Sequence, residues 1–132
     1  MIQVSLVSPE RILFEGEAKY VCLPGSKAPF TVHKGHAPVV SMLDPGILYI
    51  STENDLGRYA IDGGFAEVIH DKVTILIERA RTSLEIDPDE EKEAIQEISK
   101  RIATTDEEIR QKEKELEIHR VRLRLIEKEF VK

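Results

Sequence analysis

Two rhythms of apolar and polar residues divide this chain. Over the first eighty positions apolar residues alternate with polar ones in short runs; beyond them the spacing lengthens to three and four. Ile2, Val4 and Leu6 alternate with Gln3 and Ser5, the period-two signature of a half-buried strand. Ser8-Pro9-Glu10 interrupts, residues 11–14 resume, and residues 18–23 read as one further strand stopped by Pro24-Gly25. Residues 30–33 lead to the Gly35-His36-Ala37-Pro38 corner, and residues 39–43 follow. Asp44-Pro45-Gly46 predicts a turn in which proline presets φ and glycine takes a positive φ. Residues 47–50 and 58–61 flank a polar loop at 51–57; Gly63-Gly64 turns into 65–69, and Asp71-Lys72 into 73–77. Eight or so short strands bounded by Gly and Pro imply an antiparallel sandwich or flattened barrel.

The pattern changes at Glu85-Ile86-Asp87-Pro88. Asp87 is placed to cap a helix and Pro88 to open it, with acidic residues in the first turn where the helix dipole favours them. Ala94, Ile95, Ile98 and Ile102 form one stripe; Thr104-Thr105-Asp106 ends this helix and caps a longer one. On the long helix Ile109, Leu116, Leu123, Ile126 and Phe130 make one apolar side, and Ile118, Val121 and Leu125 a second ridge nearly opposite. So short a link predicts an antiparallel hairpin, the Ile95/Ile98/Ile102 stripe lying on Ile109/Leu116/Leu123. The second ridge is then left for another partner. The expected fold is α+β: an N-terminal antiparallel β-sandwich over 1–84, then a C-terminal antiparallel helical hairpin over 85–132.

Charge sharpens the view of the hairpin. The 132 residues carry a net charge of −6, which argues against a nucleic-acid binder. Residues 85–108 hold 3 basic and 10 acidic side chains, whereas 109–132 hold 8 basic and 5 acidic, so the last helix has its own electrostatic address. Arg110, Lys114, Arg124 and Lys128, with Arg120 at the margin, form a basic face beside the second ridge. The pairs Arg110–Lys114 and Arg124–Lys128 repel at i,i+4, which makes sense if an acidic partner receives them. No apolar run reaches the roughly 18 residues of a membrane span, and the opening segment lacks the basic end of a signal peptide, so membrane association is expected through a partner. The single Cys22 suits a reducing compartment.

Candidate chemistry is sparse. His33-Lys34-Gly35-His36 has an HxxH spacing, but a metal site needs three or four ligands and only His70 and scattered carboxylates accompany it. Gly63-Gly64 precedes a strand rather than a helix, which favours a hairpin turn over a phosphate cradle. No GxSxG elbow or other catalytic constellation stands out, and no cofactor or metal is expected.

Taken in order, several short runs resemble the epsilon subunit family of the bacterial F-type ATP synthase: Val7-Ser8-Pro9-Glu10, Leu13-Phe14-Glu15-Gly16-Glu17-Ala18, Leu23-Pro24-Gly25, Gly35-His36-Ala37-Pro38, Pro45-Gly46-Ile47-Leu48, Gly63-Gly64-Phe65-Ala66-Glu67-Val68 and Val73-Thr74-Ile75-Leu76. The resemblance implies a non-catalytic rotor subunit of the central stalk, peripheral on the cytoplasmic face of the bacterial plasma membrane. The sandwich is expected to bind the gamma subunit and the c ring through Phe30, Thr31, Val32, His33, Gly35, His36, Ala37 and Pro38. The hairpin is expected to lie folded or to extend toward the alpha/beta subunits and restrain ATP hydrolysis, with Arg110, Lys114, Arg120, Arg124 and Lys128 making the regulatory contacts. Where family members carry Gly-[Ile/Val]-Leu-Pro-Gly-His, this chain has Thr31-Val32-His33-Lys34-Gly35-His36. Some members bind ATP through Ile-Asp-x-x-Arg-Ala; Ile86 and Asp87 match, Glu90 and Glu91 replace the Arg and Ala, and Arg120 and Arg124 resemble the nucleotide-facing arginines. The rival reading is a free-standing β-sandwich adaptor with a coiled-coil tail.

Overall fold

A computed structural model describes residues 1–130, with side chains through Lys128. Among the described residues the strands are β1 (Ile2–Val7), β2 (Ile12–Ala18), β3 (Tyr20–Leu23), β4 (Phe30–Val32), β5 (Val39–Leu43), β6 (Gly46–Ser51), β7 (Leu56–Ile61), β8 (Gly64–Ile69), β9 (Lys72–Ile77) and β10 (Ala80–Arg81). They form two five-stranded sheets, ordered β2-β1-β9-β8-β5 and β10-β7-β6-β3-β4. Alternation closes the core between them: Val4, Leu6, Val21, Leu48, Ile50, Val68, Val73 and Ile75 are almost wholly shielded from solvent. The α+β sandwich-plus-hairpin architecture is the one expected.

Three details differ, because alternation tells which side of a strand is buried but not which sheet the strand joins. The run 18–23 is two strands: Ala18 pairs with Ile2 in the first sheet, while Tyr20 pairs with Ser51 in the second. Gly63-Gly64 is likewise no hairpin turn; it carries the chain from β7 in one sheet to β8 in the other. Gly46 follows Pro45 without a positive φ, and its smallness is needed because a Cβ there would stand 2.6 Å from Pro24 Cβ. One pairing, β1 with β9, is parallel, as two strands so far apart in the chain are free to be.

After a 3-10 turn at Ser83–Glu85 come α1 (Pro88–Ser99) and α2 (Asp106–Phe130). Asp87 caps α1, its carboxylate accepting from the Asp89 N–H at 3.0 Å. Thr105 and Glu108 cap α2 reciprocally: Thr105 Oγ1 accepts from the Glu108 N–H at 3.1 Å, and Glu108 Oε1 from the Thr105 N–H at 3.2 Å. Helix α1 stops before the expected boundary. Lys112 of α2 donates to the free carbonyls of Ser99 and Arg101 at 3.1 and 2.8 Å, which satisfies the helix end there. Ile102 is therefore outside the helix and 82% exposed, and Ile109 is 51% exposed, so of the expected stripes Ile98 and Leu116 are buried and Ile95 and Leu123 half-buried. Phe130 lies outside the described side chains.

The second ridge of α2 departs from the expectation, while the first keeps its place toward α1. Val121 and Leu125, expected to await another partner, are fully buried in a cluster with Ala60 and Ile86, flanked by Ile47 and Ile126. The outer side of the second sheet is itself apolar at Ile47 and Ala60, so this ridge lies on the sandwich while the seam lies on α1. Burying the two side chains favours docking by about 1.5–3 kcal/mol each.

Candidate functional site

Residues from three parts of the chain converge where the hairpin meets the sandwich. The β7–β8 crossing supplies Asp62, α1 supplies Glu91, and α2 supplies His119 and Arg122. Arg122 reaches both carboxylates, Glu91 Oε1 at 3.2 Å and the Asp62 oxygens at 3.3 and 3.4 Å. His119 Nδ1 lies 2.6 Å from the same Glu91 oxygen. Burial raises the Asp62 carboxyl above its usual range, while Arg122 and, farther off, Arg79 and Arg81 draw it back. The Nε of Arg122 is buried without a partner among the described residues. This cluster was missed in the sequence, where Glu91 figured only as a replaced alanine. Its signal was positional: Glu91 stands seven before Ile98, and Arg122 between Val121 and Leu125, so both sit on faces that had to be buried.

The residues considered for nucleotide are engaged otherwise. Ile86 is packed against Val121 and Leu125, and Asp87 caps α1. Arg120 donates to Glu113 at 2.8 Å and Arg124 to Glu117 at 3.0 Å, both on the exposed side of α2. Lys128 stands 5.9 Å over the Tyr49 ring, and Arg110 and Lys114 border a shallow groove with Met42, Leu43 and Pro45. The expected basic face is thus exposed, but in this docked state it turns partly toward the sandwich and toward carboxylates of its own helix.

The 30–38 segment is held at one end of the sandwich. The His70-Asp71 turn, both residues at positive φ, joins β8 to β9, and Asp71 Oδ1 accepts from the Gly35 N–H at 2.6 Å. His33 packs at 5.4 Å from Tyr20 and His36 at 6.2 Å from Phe30, ring centre to ring centre. The two imidazoles are therefore placed against separate rings, and among the described residues no cluster of His, Cys, Asp or Glu could hold a metal. Thr31, His33, Gly35, Ala37 and Pro38 are exposed and Phe30 and His36 half-buried, but Val32 is wholly buried and is a core residue rather than a contact. It sits opposite Val21, on the inward side of β4.

A second surface has no counterpart in the sequence reading. On the outer side of the first sheet, Met42 lies opposite Phe65, Phe65 opposite Leu76, Leu76 beside Val7, and Val7 opposite Ile12. Met42, Phe65, Leu76 and Ile12 are all more than half exposed; Val40, two residues along β5 from Met42 and opposite Glu67, is exposed as well. The row crosses all five strands. The opposite end of this sheet face carries Gln3, Glu17 and Lys72 with Ile69 exposed among them, so the apolar residues are concentrated in the row from Met42 to Ile12.

The fold and these surfaces can be set beside known proteins. The family model of the ATP synthase delta/epsilon chain β-sandwich domain matches residues 1–83. The chain belongs to the ATP synthase delta/epsilon family. A chloroplastic ATP synthase epsilon chain from Guillardia theta is 32% identical over 127 residues, covering 95% of this chain and 97% of that one. The epsilon chain of Rhodobacter capsulatus is 47% identical over 85 residues, a match spanning 64% of each chain. Among solved structures, a chain of the Euglena gracilis mitochondrial ATP synthase aligns over 90% of this chain and 77% of its own, with 28% identity and a TM-score of 0.78. A chain from the central stalk and c ring of the Tetrahymena thermophila enzyme shares the fold at 14% identity and a TM-score of 0.72. Within this delta/epsilon chain, the family model ends at residue 83, the first residue of the 3-10 turn that leads to the hairpin.

Proposed function

We propose that this chain is a non-catalytic central-stalk subunit that couples the gamma subunit to the membrane c ring and restrains ATP hydrolysis through its hairpin. The carrying observation is the apolar band Met42–Phe65–Leu76–Val7–Ile12, laid across one whole sheet of an epsilon-type sandwich. A monomer gains nothing by exposing such a band, and a rotor subunit needs a dry, broad hold on its shaft. The band is assigned to gamma. The exposed members of the 30–38 loop, tied down by Asp71, are assigned to the c ring. The whole chain would sit at the cytoplasmic face of the plasma membrane without crossing it; no helix among the described residues is long and apolar enough to span a bilayer.

The hairpin is the movable part in this reading. Its hold on the sandwich rests on Val121, Leu125 and Arg122, a small set compared with the closed core of the sheets. Lifted, it would free Arg110, Lys114, Arg120, Arg124 and Lys128 together for an acidic surface of the alpha/beta ring. The test is reconstitution with gamma and c subunits. Phe65→Glu with Leu76→Glu is expected to abolish co-purification with gamma while leaving the isolated chain folded. Retained gamma binding by that variant would refute the assignment.

A further inference from the structure

Opposite the turn between β5 and β6, the N-terminal half of α2 leaves a groove of about 510 Å³, walled by Met42 and Pro45 on the sandwich and by Arg110 and Lys114 on the helix. The carboxylates around it are engaged. Glu113 accepts from Arg120 at 2.8 Å, Glu117 from Arg124 at 3.0 Å, and Asp44 from the Ser26 hydroxyl at 3.0 Å. Arg110 and Lys114 are exposed and, among the described residues, have no hydrogen bond or ion pair. They stand four residues apart on one helix face, where like charges repel, so a carboxylate between them would relieve both. Met42 belongs to two surfaces at once: it ends the apolar band on the first sheet and forms the lip of this groove. Because β5 is the edge of that sheet, whatever lies on the band passes from Met42 directly into the groove.

We infer that the docked hairpin forms part of the gamma-binding surface. A segment of gamma that crosses the band continues past Met42 into the groove, laying an apolar side chain on Met42 and Pro45 and a carboxylate between Arg110 and Lys114. This rests on the assignment of the band to gamma and names a further contact which that partner makes. The chemistry of the occupant follows from the walls: a segment both apolar and acidic matches them, whereas a basic one would add to the repulsion. Contact with the sandwich and with α2 together couples the two. Gamma binds the docked chain more tightly than the lifted one, and by reciprocity it raises the ratio of docked to lifted chains by the same factor. Arg110 and Lys114 then have two acidic receivers, gamma while the hairpin is docked and the alpha/beta ring once it is lifted. They cannot serve both at once.

The experiment measures the affinity of purified gamma for the full-length chain. Arg110→Glu with Lys114→Glu removes no contact within the chain, so the hairpin should stay docked while gamma affinity falls roughly tenfold or more. Leu125→Asp, which breaks the apolar hold of the hairpin, should weaken gamma by a similar factor, and adding the charge reversal to it should cost little further. Arg122→Ala lifts the hairpin through a different contact and should behave as Leu125→Asp does. If the reversal leaves the affinity of the parent unchanged, or costs as much in both lifted chains as in the parent, the groove is overturned. Phe65→Glu with Leu76→Glu separates this from the assignment beneath it. Should that variant still bind gamma, the band assignment fails and the groove falls with it; should it lose gamma while the reversal has no effect, the groove alone is refuted. Sedimentation of the chain without gamma should show a monomer. A dimer broken by the reversal would give the groove to a second copy and likewise overturn the proposal.

Discussion

Glu91 and Arg122 meet at 3.2 Å with both side chains at least 95% buried, 31 positions apart and on different helices. Neither charge could remain there alone. Removing one partner from such a pair costs about 3–5 kcal/mol, because the other is left desolvated and unpaired, whereas apolar replacement of both is often neutral. Arg122→Ala is therefore expected to undock the hairpin while the sandwich stays folded. Glu91→Leu combined with Arg122→Met should restore much of the docking, leaving only Asp62 to be solvated. Native-state hydrogen exchange at Ala60, which the hairpin covers, reads both outcomes; equal exchange in Arg122→Ala and parent would count against the pair.

Acid titration gives a second check. Burial holds the Asp62 carboxyl above its usual range against the pull of Arg122. A carboxyl raised in the folded state contributes stability that is full below its unfolded value and lost as pH rises through the raised one. Asp62→Asn should remove that acid-side component. In Arg122→Met the carboxyl should titrate higher still, since the main charge lowering it is gone. Carboxyl-carbon NMR of Asp62 measures both, and a downward move in Arg122→Met would contradict the assignment.

The opposite sign holds at Glu85. The Thr82 N–H, then the Arg11 guanidinium at 2.8 Å, keep its carboxyl below the usual range. Its contribution is present above the unfolded value and lost as pH falls through the lowered one. Being largely exposed, the contact is worth at most about 1 kcal/mol. Glu85→Gln should thus loosen the turn between sandwich and hairpin at neutral pH with little change in melting temperature. Faster proteolysis confined to residues 82–88 is the expected readout.

Gly64 has a stricter demand. At φ +157 a Cβ would fall 2.1 Å from the Leu76 carbonyl oxygen, a backbone atom of the adjacent strand. Gly64→Ala should force β8 and β9 apart and destabilise the sandwich by about 2 kcal/mol or more, within the range for overpacked sites. A denaturation midpoint within error of the parent's would show that the strands give way easily.

Nucleotide should bind poorly. Arg120 and Arg124 are turned to Glu113 and Glu117, Ile86 is in an apolar cluster, Glu91 is buried against Arg122, and exposed Glu90 adds negative charge at the start of the hairpin. Calorimetry with ATP is expected to give no micromolar site, and Glu90→Arg should strengthen whatever binding is seen.

Much of the fold was legible because alternation and caps are local. Asp87, Pro88 and Thr105 announce the helices through bonds made within three residues, and Ile2, Val4 and Leu6 announce a strand's buried side. What stayed hidden depends on partners distant in the chain. Lys19 looks like any strand residue, yet the chain changes sheet there because Ala18 answers Ile2 and Tyr20 answers Ser51. The second ridge of α2 was visible, but its neighbour was not, since nothing local says that Ala60 and Ile47 offer an apolar bed. Charged Glu91 and Arg122 read as solvent-facing until their burial is seen. The apolar band escaped notice for a related reason: each member belongs to a different strand, and only the register brings them into one line.

The parallel pairing of β1 with β9 bears on how the molecule is made. Gln3 is matched to Lys72 and Val7 to Leu76, so β1 lies between β2 and a strand synthesised some seventy residues later. Contacts of such long range are slow to close. At about 5–20 residues per second, β1 and its hairpin mate β2 wait several seconds with one edge open. The central strand of the first sheet is thus completed last, after β6 and β7 of the second sheet, the strands that carry the apolar bed of α2. Folding has a built-in sequence: sandwich first, hairpin second.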